Sequence, residues 1–282
     1  MPDVAIPRAF VTGWPVWHSR SPLIHGAWLQ RHGLPGSYQR AGVPPEEIEQ
    51  FLSDLRSGGF VGGNVTIPHK EAAFRAAGRL DAAATAIGAV NTLWFEDDVL
   101  VGGNTDAHGF AANLDDRLAG WRDAETVVVL GAGGAARAVV HAVLSAGARS
   151  VHIVNRNPAR AATVADGFGG RVMAHGLEDE ARLMRRADLL VNTRPAHTPD
   201  GEALAISDLT GLAGAALVTD IVYVPIETPL LAAARARGLR TADGLGMLLH
   251  QAVPGFERWF GVKPQVDEAL RGLVLRDIEK GV

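Results

Sequence analysis

"VVVLGAGGAAR" (residues 127–137) runs from an apolar stretch straight into a glycine cluster and out into a helical pattern. Its small residues fall as Gly131-x-Gly133-x-x-Ala136, the spacing of a dinucleotide-binding turn. Each has a physical reason. Gly131 permits the sharp turn, Gly133 lets a pyrophosphate approach the backbone, and Ala136 allows the helix to pack close on the strand. N–H groups at the helix start then face the anion. A tight strand-to-helix turn without a ligand can use the same glycines, so the setting matters. Here a second apolar run, "SVHIV", follows the helical pattern and completes the first unit of a doubly wound sheet. Its end carries "VNRNPAR", with Asn155, Arg156 and Arg160, where an NAD-binding chain would place a carboxylate for the ribose 2′-hydroxyl. Guanidinium groups bind phosphate through their fork of donors, which favours NADP. Solvated arginines on an Arg-rich surface are the alternative.

Outward from this turn the α/β alternation continues through "RVMAH", "LEDEARLMRRA", "DLLVNT", "ALVTDIVY" and "PLLAAARARGL". This predicts a Rossmann-type domain over 106–242, opened by a helix running from near Asp106 to about Leu118. The first hundred residues alternate β-rich and helical stretches and end in a tight hairpin at "FEDDVLVGG", the signature of another α/β domain. Two helical runs, "GLGMLLHQAVPGFERWFG" and "VDEALRGLVLRDIE", close the chain and are expected to return to it. The expected division is therefore 1–105 with 243–282, and 106–242. With 282 residues, two domains are the natural prior.

A formal net charge of -4 argues against nucleic acid as the main partner. With no cysteine, neither a disulfide framework nor a thiolate metal site can form. "MPDVAIPRAF" lacks the basic-then-apolar order of a secretory signal, and the longest apolar tract, 126–148, is broken by "GAGG", Arg137 and His141. A cytoplasmic protein is expected, without membrane or metal, as a monomer or homodimer. The histidines, His18, His25 and His250 among them, show no metal-ligand spacing, and the six tryptophans read as core or helix-packing residues.

Of 27 basic residues only Lys70, Lys263 and Lys280 are lysines. Lys70 ends "GGNVTIPHK" after an apolar run and a proline, where a chain that otherwise prefers Arg has chosen the one cation able to give up a proton. Four polar clusters at ends of β-rich runs, "HSRSP", "NVTIPHK", "AVNT" and "GGNTDAHG", offer Ser19, Ser21, Thr66, Asn64, Asn91, Asn104, one amine and one carboxylate. Singly these are turn formers. Jointly they suit a small polyhydroxylated acid.

With these motifs in order, "GWPVWHSRSPLIH", "GGNVTIPHK", "IGAVNT", "GGNTDAHGF", "VLGAGGAARA", "NRNPAR" and "ADGLGMLLHQA", the chain resembles the shikimate dehydrogenases over nearly its whole length. The resemblance implies reversible NADP-dependent oxidation of the C3 hydroxyl of shikimate to 3-dehydroshikimate, in aromatic amino acid (chorismate) biosynthesis. It implies a catalytic pair, Lys70 and Asp106, and substrate contacts from Ser19, Ser21, Thr66, Asn91, Gln251 and Tyr223. Cofactor contacts would fall on Gly131, Ala132, Gly133, Gly134, Ala135 and Ala136, on Asn155, Arg156 and Arg160, and on Gly246 and Met247 near the nicotinamide.

Two places depart from the family's pattern. Gly26 stands where an amide is common, and a local effect is expected. In "VNTRPAHTPDG" Arg194 and His197 replace a threonine and a glycine, so an extra cation could touch the pyrophosphate or point to solvent. Quinate or an aminoshikimate remains open as substrate, and a non-catalytic dinucleotide-sensing protein is the reading from another class.

Overall fold

The computed structural model describes residues 6–195 and 207–281. Among them, in chain order, are β1 (Arg8–Gly13), α1 (Ser21–His32), β2 (Ser37–Gly42), α2 (Ile48–Ser53), β3 (Gly62–Val65), α3 (Lys70–Ala76), β4 (Arg79–Leu80), α4 (Ala82–Ile87), β5 (Thr92–Glu96) and β6 (Val99–Gly103). Then come α5 (Asp106–Arg117), β7 (Thr126–Leu130), α6 (Gly134–Ser145), β8 (Ser150–Val154), α7 (Pro158–Asp166), β9 (Val172–His175), α8 (Glu180–Met184), β10 (Leu189–Asn192), β11 (Leu217–Asp220), α9 (Pro229–Ala236), β12 (Arg240–Ala242), α10 (Leu245–Phe260) and α11 (Glu268–Glu279).

They form two compact units, residues 1–105 with 251–282, and 106–250. The division falls inside α10, eight residues beyond the expected 243. Residues 243–250 stay with the second unit because Asn113 Nδ2 donates to Asp243 O at 2.7 Å and His250 Nε2 is 2.8 Å from Asp116 Oδ2.

The first unit carries a mixed sheet in the order β2-β1-β3-β5-β6-β4. β1 pairs in parallel with β2 and β3, whereas β5 runs antiparallel to both β3 and β6. The hairpin between β5 and β6 turns at Asp97 and Asp98, both in the left-handed region, which short polar side chains tolerate. Phe10, Val65, Leu52, Leu55 and Leu93 fill one core. The part of α10 from Gln251 onward and α11 belong to this unit. Trp259 Nε1 donates to Leu93 O at 2.9 Å, Trp28 Nε1 to Gln265 O at 3.1 Å, and Arg20 pairs with Asp277 at 2.9 Å.

The second unit is a Rossmann-type sheet, β12-β11-β10-β7-β8-β9, all parallel. Its central strands β7, β10 and β11 are buried on both faces, hence the unbroken apolar runs seen in the sequence. Trp28, Trp94, Trp121 and Trp259 are buried, but Trp14 and Trp17 are 49% and 72% exposed, against the expectation of core or helix-packing roles for all six. Both lie in the connection from β1 to α1, outside any helix or strand.

His25 of α1 is wholly buried, stacked on Tyr38 at 4.0 Å and 12° and lying near Trp28, Phe256 and Trp259. Burial lowers its pKa from 6.5 to about 3, with the Asn64 side chain working weakly the other way. The native ring is therefore neutral where an unfolded histidine becomes charged. Unfolding takes up a proton, so this stability is fully present above pH 6.5 and is lost as the pH falls, by about 1.4 kcal/mol per unit until about 3. His25→Phe keeps a ring and removes the titration. In urea titrations between pH 6.5 and 4.5 its stability should fall less steeply than that of the native chain by about this amount per unit. Equal slopes would contradict the assignment.

Candidate active site

Strand direction brings the four polar clusters of the first unit to one end of its sheet. β1 and β3 are parallel, so the segments after Gly13 and after Val65, which carry Ser19, Ser21, Thr66 and Lys70, leave together. Antiparallel β5 begins where β3 ends, with Thr92 opposite Asn64, and Thr92 is in turn opposite Gly103, where β6 ends. Asn91 and the Asn104–Thr105 step are thereby placed beside Asn64.

Side chains lock this end. Asn91 Oδ1 accepts from Thr105 N at 2.9 Å, Thr92 Oγ1 at 2.8 Å and Thr105 Oγ1 at 3.2 Å. Asn64 Nδ2 donates to Asn91 O at 3.2 Å and Thr92 Oγ1 at 3.1 Å, and Asn104 Nδ2 to Ala89 O at 2.9 Å. A backbone N–H can be accepted only by the amide oxygen, so the Asn91 carboxamide is oriented without ambiguity. Lys70, half-buried, is the first residue of α3, and its carbonyl accepts from Val90 N at 3.1 Å. Next to it, buried His69 is anchored by a 2.7 Å bond from Nε2 to Val43 O. Ser19 Oγ accepts from Ser21 N at 3.3 Å at the start of α1, and Arg40 holds the Ser19 carbonyl at 2.6 Å. Thr66 packs against Gly13, where an added Cβ would sit 2.5 Å from Thr66 Cγ2. Gln251 is half-buried on α10 in this same unit. Gly26 is exposed with open space about it, so its departure from the family pattern is local.

In the second unit the carboxyl ends of the parallel strands carry the glycine turn after β7, Asn155–Arg160 after β8, Thr193–Arg194 after β10 and Tyr223 after β11. The strand order reverses at β7, the place where open α/β sheets bind ligands. Gly131 has φ +105°, and a Cβ there would lie 2.6 Å from Thr193 Oγ1; the fold itself requires glycine. Gly133 and Gly134 differ. A Cβ at either meets nothing within 4 Å, Gly133 has an ordinary φ of -98°, and no side chain caps α6. Nothing in the packing of the described residues demands these two glycines, which leave the helix N–H groups uncovered by any Cβ. That is the fit a pyrophosphate needs.

Asn155 and Asn157 shape the neighbouring turn: Asn155 N donates to His175 O and its Nδ2 to Asn157 O at 3.0 Å, while Asn157 Oδ1 caps α7 through Ala159 N at 3.1 Å. The turn presents Arg156 and Arg160, both exposed, and no ion pair involves either among the described residues. Gly246 is buried at the foot of α10, where a Cβ would fall 1.9 Å from Asn113 Oδ1, and Met247 beside it is 8% exposed. Arg194 turns into the protein, its Nη2 donating to Ser207 Oγ at 2.8 Å and its Nε to Asn192 Oδ1 at 3.2 Å, with Glu180 3.9 Å away. His197 lies outside the described residues. Sequence reasoning passed over Asp220, 2% exposed, which accepts from Val222 N at 3.0 Å, Asn192 Nδ2 at 3.0 Å and Thr228 Oγ1 at 2.8 Å and so shapes the turn carrying Tyr223. Burial raises its pKa, which these bonds only partly offset.

Three family models cover most of the chain: a shikimate dehydrogenase substrate binding domain over residues 11–93, a shikimate/quinate 5-dehydrogenase domain over 114–223, and a shikimate 5′-dehydrogenase C-terminal domain over 244–271. The chain belongs to the shikimate dehydrogenase family. A member from Mesorhizobium japonicum named shikimate dehydrogenase (NADP(+)) is 59% identical over 97% of this chain and 98% of its own length. Among solved structures of the family, a Thermus thermophilus shikimate 5-dehydrogenase in complex with NADP(H) and shikimate matches with TM-score 0.81 at 35% identity, covering 98% of this chain and 100% of that one. A quinate dehydrogenase from Corynebacterium glutamicum in complex with NAD matches with TM-score 0.87 at 31% identity, covering 96% and 99%.

Gly133→Ala tests the glycine turn. The added methyl group enters open space at an allowed backbone conformation, so Tm should be unchanged while NADP binds roughly tenfold or more weakly, about 1.4 kcal/mol. Unaltered NADP affinity by calorimetry would show that the space is not used.

Proposed function

We propose that this chain catalyses the reversible, NADP-dependent oxidation of the C3 hydroxyl of shikimate to 3-dehydroshikimate, a step of aromatic amino acid (chorismate) biosynthesis. The observation that carries the reading is the convergence, at one sheet end, of hydroxyl and amide side chains around the turn that bears Lys70. Bound NADP⁺ supplies the hydride acceptor. The residues of the chain do the rest. Ser19, Ser21, Thr66, Asn91, Gln251 and Tyr223 bind and orient the hydroxylated acid, and the Lys70 amine takes the proton from the C3 hydroxyl as the hydride leaves that carbon. In the reverse direction Lys70 returns the proton. Asp106, 6% exposed at the first position of α5, is the second member of the proposed catalytic pair. When NADP is bound, the turn 131–136 would hold the pyrophosphate, Asn155, Arg156 and Arg160 the adenosine end with its 2′-phosphate, and Gly246 and Met247 the nicotinamide. No helix among the described residues is long and apolar enough to cross a membrane, and a cytoplasmic setting forms part of this proposal.

The likeness to a quinate dehydrogenase supports a second reading, with quinate as substrate. Initial rates with shikimate and with quinate, each with NADP and with NAD, separate the two. The shikimate–NADP pair should give the highest kcat/KM. A preference for quinate would move the chain to the second reading, and no turnover with either acid would leave a cofactor-sensing role. Arg156→Ala should weaken NADP roughly 10- to 100-fold while scarcely affecting NAD, because only NADP carries the 2′-phosphate. Equal losses would refute the assignment.

A further inference from the structure

Tyr38 of β2 lies among the residues that bind the proposed substrate, yet nothing in the sequence motifs points to it. Its hydroxyl donates to Asn64 Oδ1 at 2.6 Å. Both amide hydrogens of Asn64 are used on Asn91 O and Thr92 Oγ1, so the Tyr38 hydroxyl completes a continuous chain from β2 through Asn64 and Thr92 to the Asn91 carboxamide and Thr105. Thr105 is followed directly by Asp106. The ring is held from behind by its 4.0 Å stack on His25 and lies 5.8 Å from Trp259, so the hydroxyl has little freedom to point elsewhere. His25 is fully buried with neither ring nitrogen hydrogen-bonded, a costly arrangement that leaves it acting here as a flat aromatic support. Desolvation pushes the Tyr38 hydroxyl well above its ordinary value, partly offset by hydrogen bonds with Ser21 and Asn64, so it stays a neutral donor.

From this geometry we infer that Tyr38 is a positioning residue for substrate binding: it fixes the Asn64 amide, and through it the Asn91 face that receives the hydroxylated ring. The inference rests on the reading of the site as a shikimate site. Without the hydroxyl, Asn64 Oδ1 loses its donor and the amide can turn over, releasing Thr92 and loosening Asn91. The loss falls on substrate binding. The bond lost is to Asn64, which has no part in the proposed proton transfer, and the cofactor residues lie in the other unit.

Tyr38→Phe removes only the hydroxyl and keeps the stack on His25. The expected result is a KM for shikimate raised about tenfold, kcat within about threefold of the native value, and an unchanged Kd for NADP by fluorescence titration. Asn64→Ala should raise KM at least as much, and the double variant should be no worse than Asn64→Ala, because both changes break one chain of bonds. An unchanged KM in Tyr38→Phe overturns the inference, as do additive effects in the double variant. A fall in Tm accompanied by weaker NADP binding would mean general loosening and would overturn it too. Native protein that turns over neither shikimate nor quinate refutes the activity reading and this inference with it. Native turnover beside an unaffected Tyr38→Phe refutes the inference alone.

Discussion

The Asn91 carboxamide oxygen, accepting from Thr92 Oγ1 and from both the N–H and the hydroxyl of Thr105, is the interaction on which the first unit's site depends. It ties the start of β5 to the residues that follow β6, and Asn64 ties both to β3. Three strand ends become one surface. Without it, a buried amide and a buried N–H would each lack a partner, at about 1 to 3 kcal/mol apiece, and the loops carrying Lys70 and Asn104–Thr105 would lose their common anchor. Asp220 has the equivalent place in the second unit, binding the ends of β10 and β11 and the start of α9.

The two units divide the proposed chemistry by charge. The first collects neutral donors and acceptors and one lysine, which suits a substrate rich in hydroxyls and a reaction that moves a proton. In the second, uncapped helix N–H groups and exposed arginines offer the donors that the proposed phosphate contacts call for. The background of arginine in this chain sharpens the contrast, because apart from Lys263 and Lys280 every other basic side chain of the Lys/Arg type is Arg. The turn of Arg194 toward Ser207, Asn192 and Glu180 fits the same division: the extra cation is spent on tying the chain together.

Much of this was legible in the sequence. Strand-to-helix alternation and the glycine spacing gave the Rossmann-type sheet, since backbone periodicity and steric demand are local properties. The polar clusters were legible as clusters, but not the bonds among them. Thr92, Thr105 and Asn64 read as ordinary turn formers until strand register puts them side by side, and register between distant strands leaves little local trace. Tyr38 escaped for the same reason, its partner lying 26 residues away. The eight-residue difference in the domain boundary comes from Asn113 and Asp116 gripping the start of α10, a contact across more than 125 residues. Trp14 and Trp17 show the converse error, in which residue type was taken as a guide to burial although both stand in a connection between elements. Gly131 and Gly133 look alike in the motif; only the structure separates the glycine the fold requires from the one whose Cβ would meet open space.

The central claim is that position 70 moves a proton and does not merely carry charge. Measuring kcat for Lys70→Arg beside Lys70→Met, with saturating NADP and shikimate, tests it most directly. Both variants should fall about 10²- to 10⁴-fold below the native chain, because guanidinium keeps the charge but cannot give up its proton. A Lys70→Arg protein with near-native kcat would show that charge alone suffices there, and the proton-transfer role would have to be given up.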